Sequence, residues 1–177
     1  MKFPAMALSH VELYVQDVVA MEHFYTRFLG FVVTDRGAGK DGLVFLSRDP
    51  NEHHQLVLNP RPTFKASQSP VDHISFRISS LTDLRLFYTS VSKSEVTVAT
   101  VSHGTTWSMY FRDPEGNRLE IFTDTPWYVP QPCKFTIDMS LSDEELYAFT
   151  RERVMNMAGC CEVEQWRQSH VAAVEIS

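Results

Sequence analysis

Two hydrophobic spacings alternate along this chain. In Ser9-His10-Val11-Glu12-Leu13-Tyr14-Val15 every second position is apolar, so Val11, Leu13 and Val15 line one face of a half-buried strand and His10, Glu12 and Tyr14 the other. Val18, Met21, Tyr25 and Phe28 then recur at helical spacing, with Asp17 as the N-cap and Gly30 as the C-terminal stop. Phe31–Thr34, Leu43–Leu46 and Gln55–Leu58 read as three more strands, the first two separated by a turn-rich segment from Asp35 to Gly42. The predicted unit is βαβββ.

After Asn59–Pro70, a proline-bearing connection, the pattern starts again at an offset of 63 residues. That shift lays His73 on His10, Leu81 on Val18, Leu84 on Met21 and Phe87-Tyr88-Thr89 on Phe24-Tyr25-Thr26. A strand histidine, a helix stripe and a triplet that coincide at one offset mark an internal repeat. Val96–Val101, Trp107–Phe111 and Arg118–Phe122 complete the second βαβββ, the last two as a hairpin around Asp113-Pro114-Glu115-Gly116-Asn117. Beyond Thr123 the character changes. Asp124–Asp138 is a proline-rich strap whose aromatics pack as cover. Ser142-Asp143-Glu144-Glu145 is a capping box opening a helix with Leu146, Phe149, Arg153 and Met157 along one side, ending at Gly159. Glu162–Ser177 carries a weaker helical pattern.

Charge and cysteine usage narrow the partners. A net charge of −6 without any Lys/Arg block argues against nucleic acid or an anionic membrane surface and favours a small molecule. Cys133, Cys160 and Cys161 form neither a disulfide framework nor a zinc spacing, so reduced thiols in a cytoplasmic setting are expected. No signal peptide and no run able to span a membrane is read, and exposed sheet edges suggest a homo-oligomer, a dimer or larger.

The repeat gives the candidate chemistry. The 63-residue offset sets Glu120 opposite Val57, and by alternation His10, His73 and Glu120 each point off their strand's apolar face. Singly, each reads as an ordinary hydrogen-bonded or rim residue. At repeat-equivalent positions of modules packed about a pseudo-twofold, they read as a 2-His-1-carboxylate set, which leaves cis positions open on iron(II). Zinc, with its preference for a closed tetrahedral N/S set, is the weaker choice. Glu12 shares the parity of His10, which makes it an alternative or assisting ligand, but an ion pair with Arg77 is its expected role.

The segments LSHVELYV, FYTRFLGF, VDHISFRI and YFRDPEGNRLEIF, within about Leu8 to Phe122, resemble the vicinal oxygen chelate superfamily. The resemblance implies an α+β fold in which two βαβββ modules (about 8–58 and 71–123) form a half-open barrel around a metal. Residues 1–123 would be that domain and 124–177 a strap and helical extension packed on it. Within the superfamily the chain is most similar to single-domain extradiol ring-cleaving dioxygenases. That resemblance implies His10, His73 and Glu120 as ligands of Fe(II), with Mn(II) the alternative, and a catechol-type substrate cleaved with O2. It further implies His54, in Glu52-His53-His54-Gln55, as the acid/base residue, and His103 and Tyr110 as groups contacting the catechol oxygens and dioxygen. Trp127 would shape the aromatic pocket. The spacing from His103 to Tyr110 is shorter than the family pattern. Glyoxalases and coenzyme A thioester epimerases use a fourth protein ligand, which Val57 cannot supply. Fosfomycin-type thiol transferases share the triad and the tyrosine, and metal-free bleomycin-sequestering proteins share the scaffold without the ligands.

Overall fold

A computed structural model describes residues 7–39, 42–61, 63, 71–94 and 96–176. Most of the expected loop between Asn59 and Pro70, and Lys40 and Asp41 of the expected turn, lie outside the described residues. The described residues divide into two compact units, one formed by residues 7–73 with Arg112–Arg118, the other by Ile74–Phe111 with residues 119–176.

In chain order the elements are β1 (Val11–Val15), α1 (Val18–Arg27), β2 (Val32–Arg36), β3 (Val44–Ser47), β4 (Leu56–Pro60), β5 (His73–Arg77), α2 (Leu81–Ser92), β6 (Ala99–Ser102), β7 (Thr106–Arg112) and β8 (Arg118–Asp124). The extension adds β9 (Trp127–Tyr128), β10 (Phe135–Thr136), α3 (Asp143–Val154), β11 (Cys161–Glu162) and α4 (Val163–Ile176). The repeat is visible in the topology. The first sheet has the order β1-β4-β3-β2, and the second carries the equivalent order β5-β8-β7-β6 with β10 added beside β6. The fold is therefore α+β with two βαβββ modules, as the alternating patterns predict. No helix among the described residues is long and apolar enough to cross a membrane.

In the first unit β1 runs parallel to β4 while β2, β3 and β4 pair antiparallel. Val15, Val44, Leu46, Leu56 and Leu58 are buried; along α1 Met21 and Tyr25 of the expected stripe are buried, Val18 and Phe28 only partly, and Phe24, outside that stripe, is buried as well. Asp17 caps α1 by accepting from the amides of Val19 and Ala20. The hairpin tip Arg112–Arg118 belongs to this unit and meets the same helix. Glu115 Oε1 accepts from the amides of Gln16 and Asp17, both at 2.7 Å, and the buried Tyr25 hydroxyl donates to Asp113 Oδ2 at 3.2 Å. Asp113 also receives the Glu115 and Asn117 amides and the Asn117 side chain. Burial pushes its carboxyl above the usual range, against these hydrogen bonds. Burial, then the Asp113 charge, holds the Tyr25 phenol well above its ordinary value.

In the second unit Leu84 and Val91 of α2 are buried, together with Trp107, Met109 and Phe111 of β7 and Leu119 and Ile121 of β8. β6 begins at Ala99 rather than Val96, where pairing with Tyr110 of β7 starts. α3 has the expected capping box at Ser142 and Glu145, but its buried side is Leu146, Thr150 and Val154, not Leu146, Phe149, Arg153 and Met157. The reason is a polar group turned inward: the Trp107 indole N–H donates to Thr150 Oγ1 at 2.9 Å, which satisfies a hydroxyl that hydropathy alone places outside. Phe149 lies instead under the Arg153 guanidinium, 3.5 Å from its ring centroid. The expected Glu12–Arg77 pair does not form. Glu12 accepts from Asn59 and Arg77 binds Asp124, each the product of strand neighbours in its own sheet.

Tyr25→Phe removes one buried hydrogen bond without altering packing volume, so unfolding in urea is expected to show a loss of about 1 to 2 kcal/mol. An unchanged midpoint would mean that Asp113 is held by Asn117 and its loop amides alone.

Candidate functional site

Glu120 is the most constrained of the expected site residues. It sits in β8 between the core residues Leu119 and Ile121 and is only 7 % exposed. A carboxylate so buried needs donors. The Tyr110 hydroxyl, on β7, donates to Oε1 at 2.6 Å, and the Ser75 hydroxyl, on β5, donates to Oε2. Tyr110 in turn lies 3.0 Å from His103 Nε2, and His103 Nδ1 donates to the Cys133 carbonyl at 2.8 Å. One hydrogen-bonded line thus joins Glu120, Tyr110, His103 and the strap.

The histidines of the other unit form a second group. His10, immediately before β1, stands with its ring centroid 4.4 Å from that of His54, and His53 Nδ1 lies 2.9 Å from His54 Nδ1. The Asp35 carboxylate, 3.8 Å from His53 Nε2, favours a proton there. His53 Nδ1 then accepts from His54, and the lone pair of His54 is left on Nε2. Partial burial first, then the neighbouring His10 and His53, hold the His54 imidazole below the usual histidine range. His73 Nδ1 donates to Asp72 at 2.6 Å, which puts the ring's lone pair on Nε2, the tautomer a metal ligand needs. Asp72 also receives Arg118 at 3.0 Å, and its carboxyl is held below the ordinary value by His73 and then Arg118.

His10 and His73 belong to one unit and Glu120 to the other. Among the described residues, no group of three or more His, Cys, Asp or Glu side chains is gathered as a metal-holding cluster. Val57, the repeat-equivalent of Glu120, is buried and apolar. Trp127 is 1 % exposed, with its ring 4.7 Å from that of Tyr147 on α3, beside an open cleft of about 750 Å³ that Arg151 and Met155 also line.

The profile of the Glyoxalase/Bleomycin resistance protein/Dioxygenase superfamily matches residues 7–121, a span that includes His10, His54, His73, His103, Tyr110 and Glu120. The chain belongs to this superfamily. Biphenyl-2,3-diol 1,2-dioxygenase 2 of Rhodococcus globerulus is 32% identical over 121 residues, 66% of this chain and 62% of that protein. Metapyrocatechase of Geobacillus stearothermophilus is 27% identical over 134 residues, 73% of this chain and 38% of that protein. The chain therefore spans less than two thirds of either relative. Among solved structures, the glyoxylase/bleomycin resistance protein/dioxygenase domain from Frankia sp. EAN1pec superposes with a TM-score of 0.59 at 24% identity, covering 69% of this chain and 94% of that one.

The superfamily match stops at residue 121, yet the residues beyond it reach the His103 loop. The Thr125 hydroxyl donates to the Gly104 carbonyl at 2.5 Å, the Thr125 amide to the Thr105 carbonyl at 2.9 Å, and Gln131 Nε2 to the His103 carbonyl at 2.8 Å. None of these contacts has a sequence signal, because each joins a loop to a strap with no periodic pattern. Ser75 and Asp72 had one: Ser75 shares the parity of His73, and Asp72 adjoins it.

Gly104 has φ +76, and a Cβ there would stand 2.6 Å from Val129 Cγ2. Gly104→Ala is therefore expected to cost about 1 to 3 kcal/mol from the positive φ alone, plus overpacking against the strap. Adding Val129→Ala should return only the overpacking part, measured as the coupling energy in a double-mutant cycle of urea unfolding.

Proposed function

We propose that this protein is an extradiol dioxygenase that opens the ring of a catechol-type substrate with O2 at an iron(II) centre held by His10, His73 and Glu120. The observation that carries the reading is the committed carboxylate. The Glu120 carboxylate accepts from Tyr110 and Ser75, while the matching position in the other module is the apolar Val57. Two imidazoles and one carboxylate are the donor set of an iron(II) site with open positions, and the His73 tautomer fits a ligand role. The names of the relatives, a diol dioxygenase and a metapyrocatechase, support the same class. Val57 disfavours superfamily members that need a fourth protein ligand.

When bound, iron(II) supplies Lewis acidity and electron transfer between the catechol and dioxygen. The chain's own residues handle position and protons. His54, neutral near pH 7 and with its lone pair on Nε2, takes a phenolic proton and later returns it. His103 and Tyr110 offer hydrogen bonds to substrate oxygens and to charge that develops as oxygen is reduced. Both atoms of O2 enter the product as one ring carbon–carbon bond breaks.

The test is anaerobic purification, a measurement of bound metal, then supply of iron(II), oxygen and a panel of catechols while the yellow ring-opened product is followed. Absence of iron binding, or of oxygen uptake with every catechol, would sink the reading. His54→Ala is expected to retain iron and slow turnover roughly 10²-fold or more, the scale of a lost acid/base group. Glu120→Gln, which loses the anionic ligand, is expected to lower iron affinity at least tenfold, read by competition with a chelator. Iron loss in His54→Ala would instead assign that histidine as a ligand.

A further inference from the structure

The strap that follows the superfamily-matched region does more than cover it. Gln131 makes three hydrogen bonds: Nε2 donates to the His103 carbonyl at 2.8 Å and to the Val129 carbonyl at 3.1 Å, and Oε1 accepts from the Cys133 amide at 2.9 Å. The carbonyl of that same Cys133 takes the hydrogen bond from His103 Nδ1. Gln131 thus grips both ends of one small circuit, the carbonyl of His103 and the amide of the residue whose carbonyl its ring addresses. The loop cannot easily escape. Gly104 lies against Val129 and Val154, and Thr125 holds the carbonyls of Gly104 and Thr105.

A carbonyl oxygen only accepts, so the Cys133 peptide requires a proton on His103 Nδ1 whatever the other nitrogen does. The exchangeable position is then Nε2, 3.0 Å from the Tyr110 hydroxyl that serves Glu120. The geometry points to Gln131 as a positioning residue: by holding Cys133 through its amide it sets the carbonyl that fixes the tautomer and aim of His103, so that Nε2 faces Tyr110. This inference rests on the catalytic role proposed for His103, but its geometry is separable from that chemistry. If His103 assists at the reacting oxygens, a ring whose labile proton is always on the Tyr110 side needs no tautomer change during turnover. A ring without the clamp would divide between two tautomers, only one of which presents the right nitrogen.

The test reads the ring directly in the metal-free full chain. Long-range ¹H–¹⁵N NMR at alkaline pH, where the imidazole is neutral, distinguishes a protonated from an unprotonated nitrogen, and the His103 signals are assigned by their loss in His103→Ala. Wild-type protein is expected to show Nδ1 protonated, the reverse of the preference of histidine in water. Gln131→Ala, at an exposed position, should move both resonances towards the opposite tautomer. Gln131→Met, equal in length but without hydrogen-bonding atoms, should do the same. A wild-type His103 with Nδ1 bare overturns the inference, as does a Gln131→Met spectrum identical to wild type, which would reduce the glutamine to filler. Because no iron or catechol enters, an enzyme inert towards every catechol but with the expected spectra would support the clamp while defeating only the dioxygenase reading.

Discussion

A carboxylate taken out of water must find donors, and in this fold that requirement reaches from Glu120 to the far end of the chain. Glu120 lies between core residues of β8, where an unsatisfied anion would cost several kcal/mol. Its neighbours on the sheet meet the need, Tyr110 from β7 and Ser75 from β5. Once the tyrosine proton is committed to Glu120, the phenol oxygen is what His103 meets. The ring of His103 then has one remaining polar nitrogen, and only the strap offers it an acceptor. The extension is thus tied to the site by a sequence of hydrogen bonds, each of which determines what the next can be.

A comparable dependence organises the other unit around the hairpin tip. Asp113 and Glu115 direct their carboxylates at backbone amides and at the Tyr25 hydroxyl, so the turn between β7 and β8 is secured to the N-terminus of α1. Asp35, His53 and His54 form a shorter line, with the two imidazoles joined through their Nδ1 atoms at 2.9 Å.

The two modules of the repeat share a scaffold but not their chemistry. Strand order and helix placement are shared by the two modules. The divergence is chemical: Val57 is buried and apolar where Glu120 accepts from two hydroxyls. The proposed iron(II) site draws on that difference, because a three-donor set with an apolar fourth position leaves places for external ligands.

Alternation and helical spacing are local properties, so the sequence by itself determined the βαβββ repeat, the caps at Asp17 and Ser142, the hairpin and the positions of His10, His73 and Glu120. Each follows from side-chain direction along a strand or helix, which the backbone imposes without reference to distant residues. The partners of those side chains were not legible in that way. Arg77 with Asp124, Thr150 turned inward to Trp107, and Gln131 beneath His103 all join segments remote in sequence, and two of the three come from the strap, where no period exists to read. Only the tertiary structure could decide them, because a polar group's partner is set by which donor or acceptor the packing leaves within about 3 Å, not by its place in a pattern.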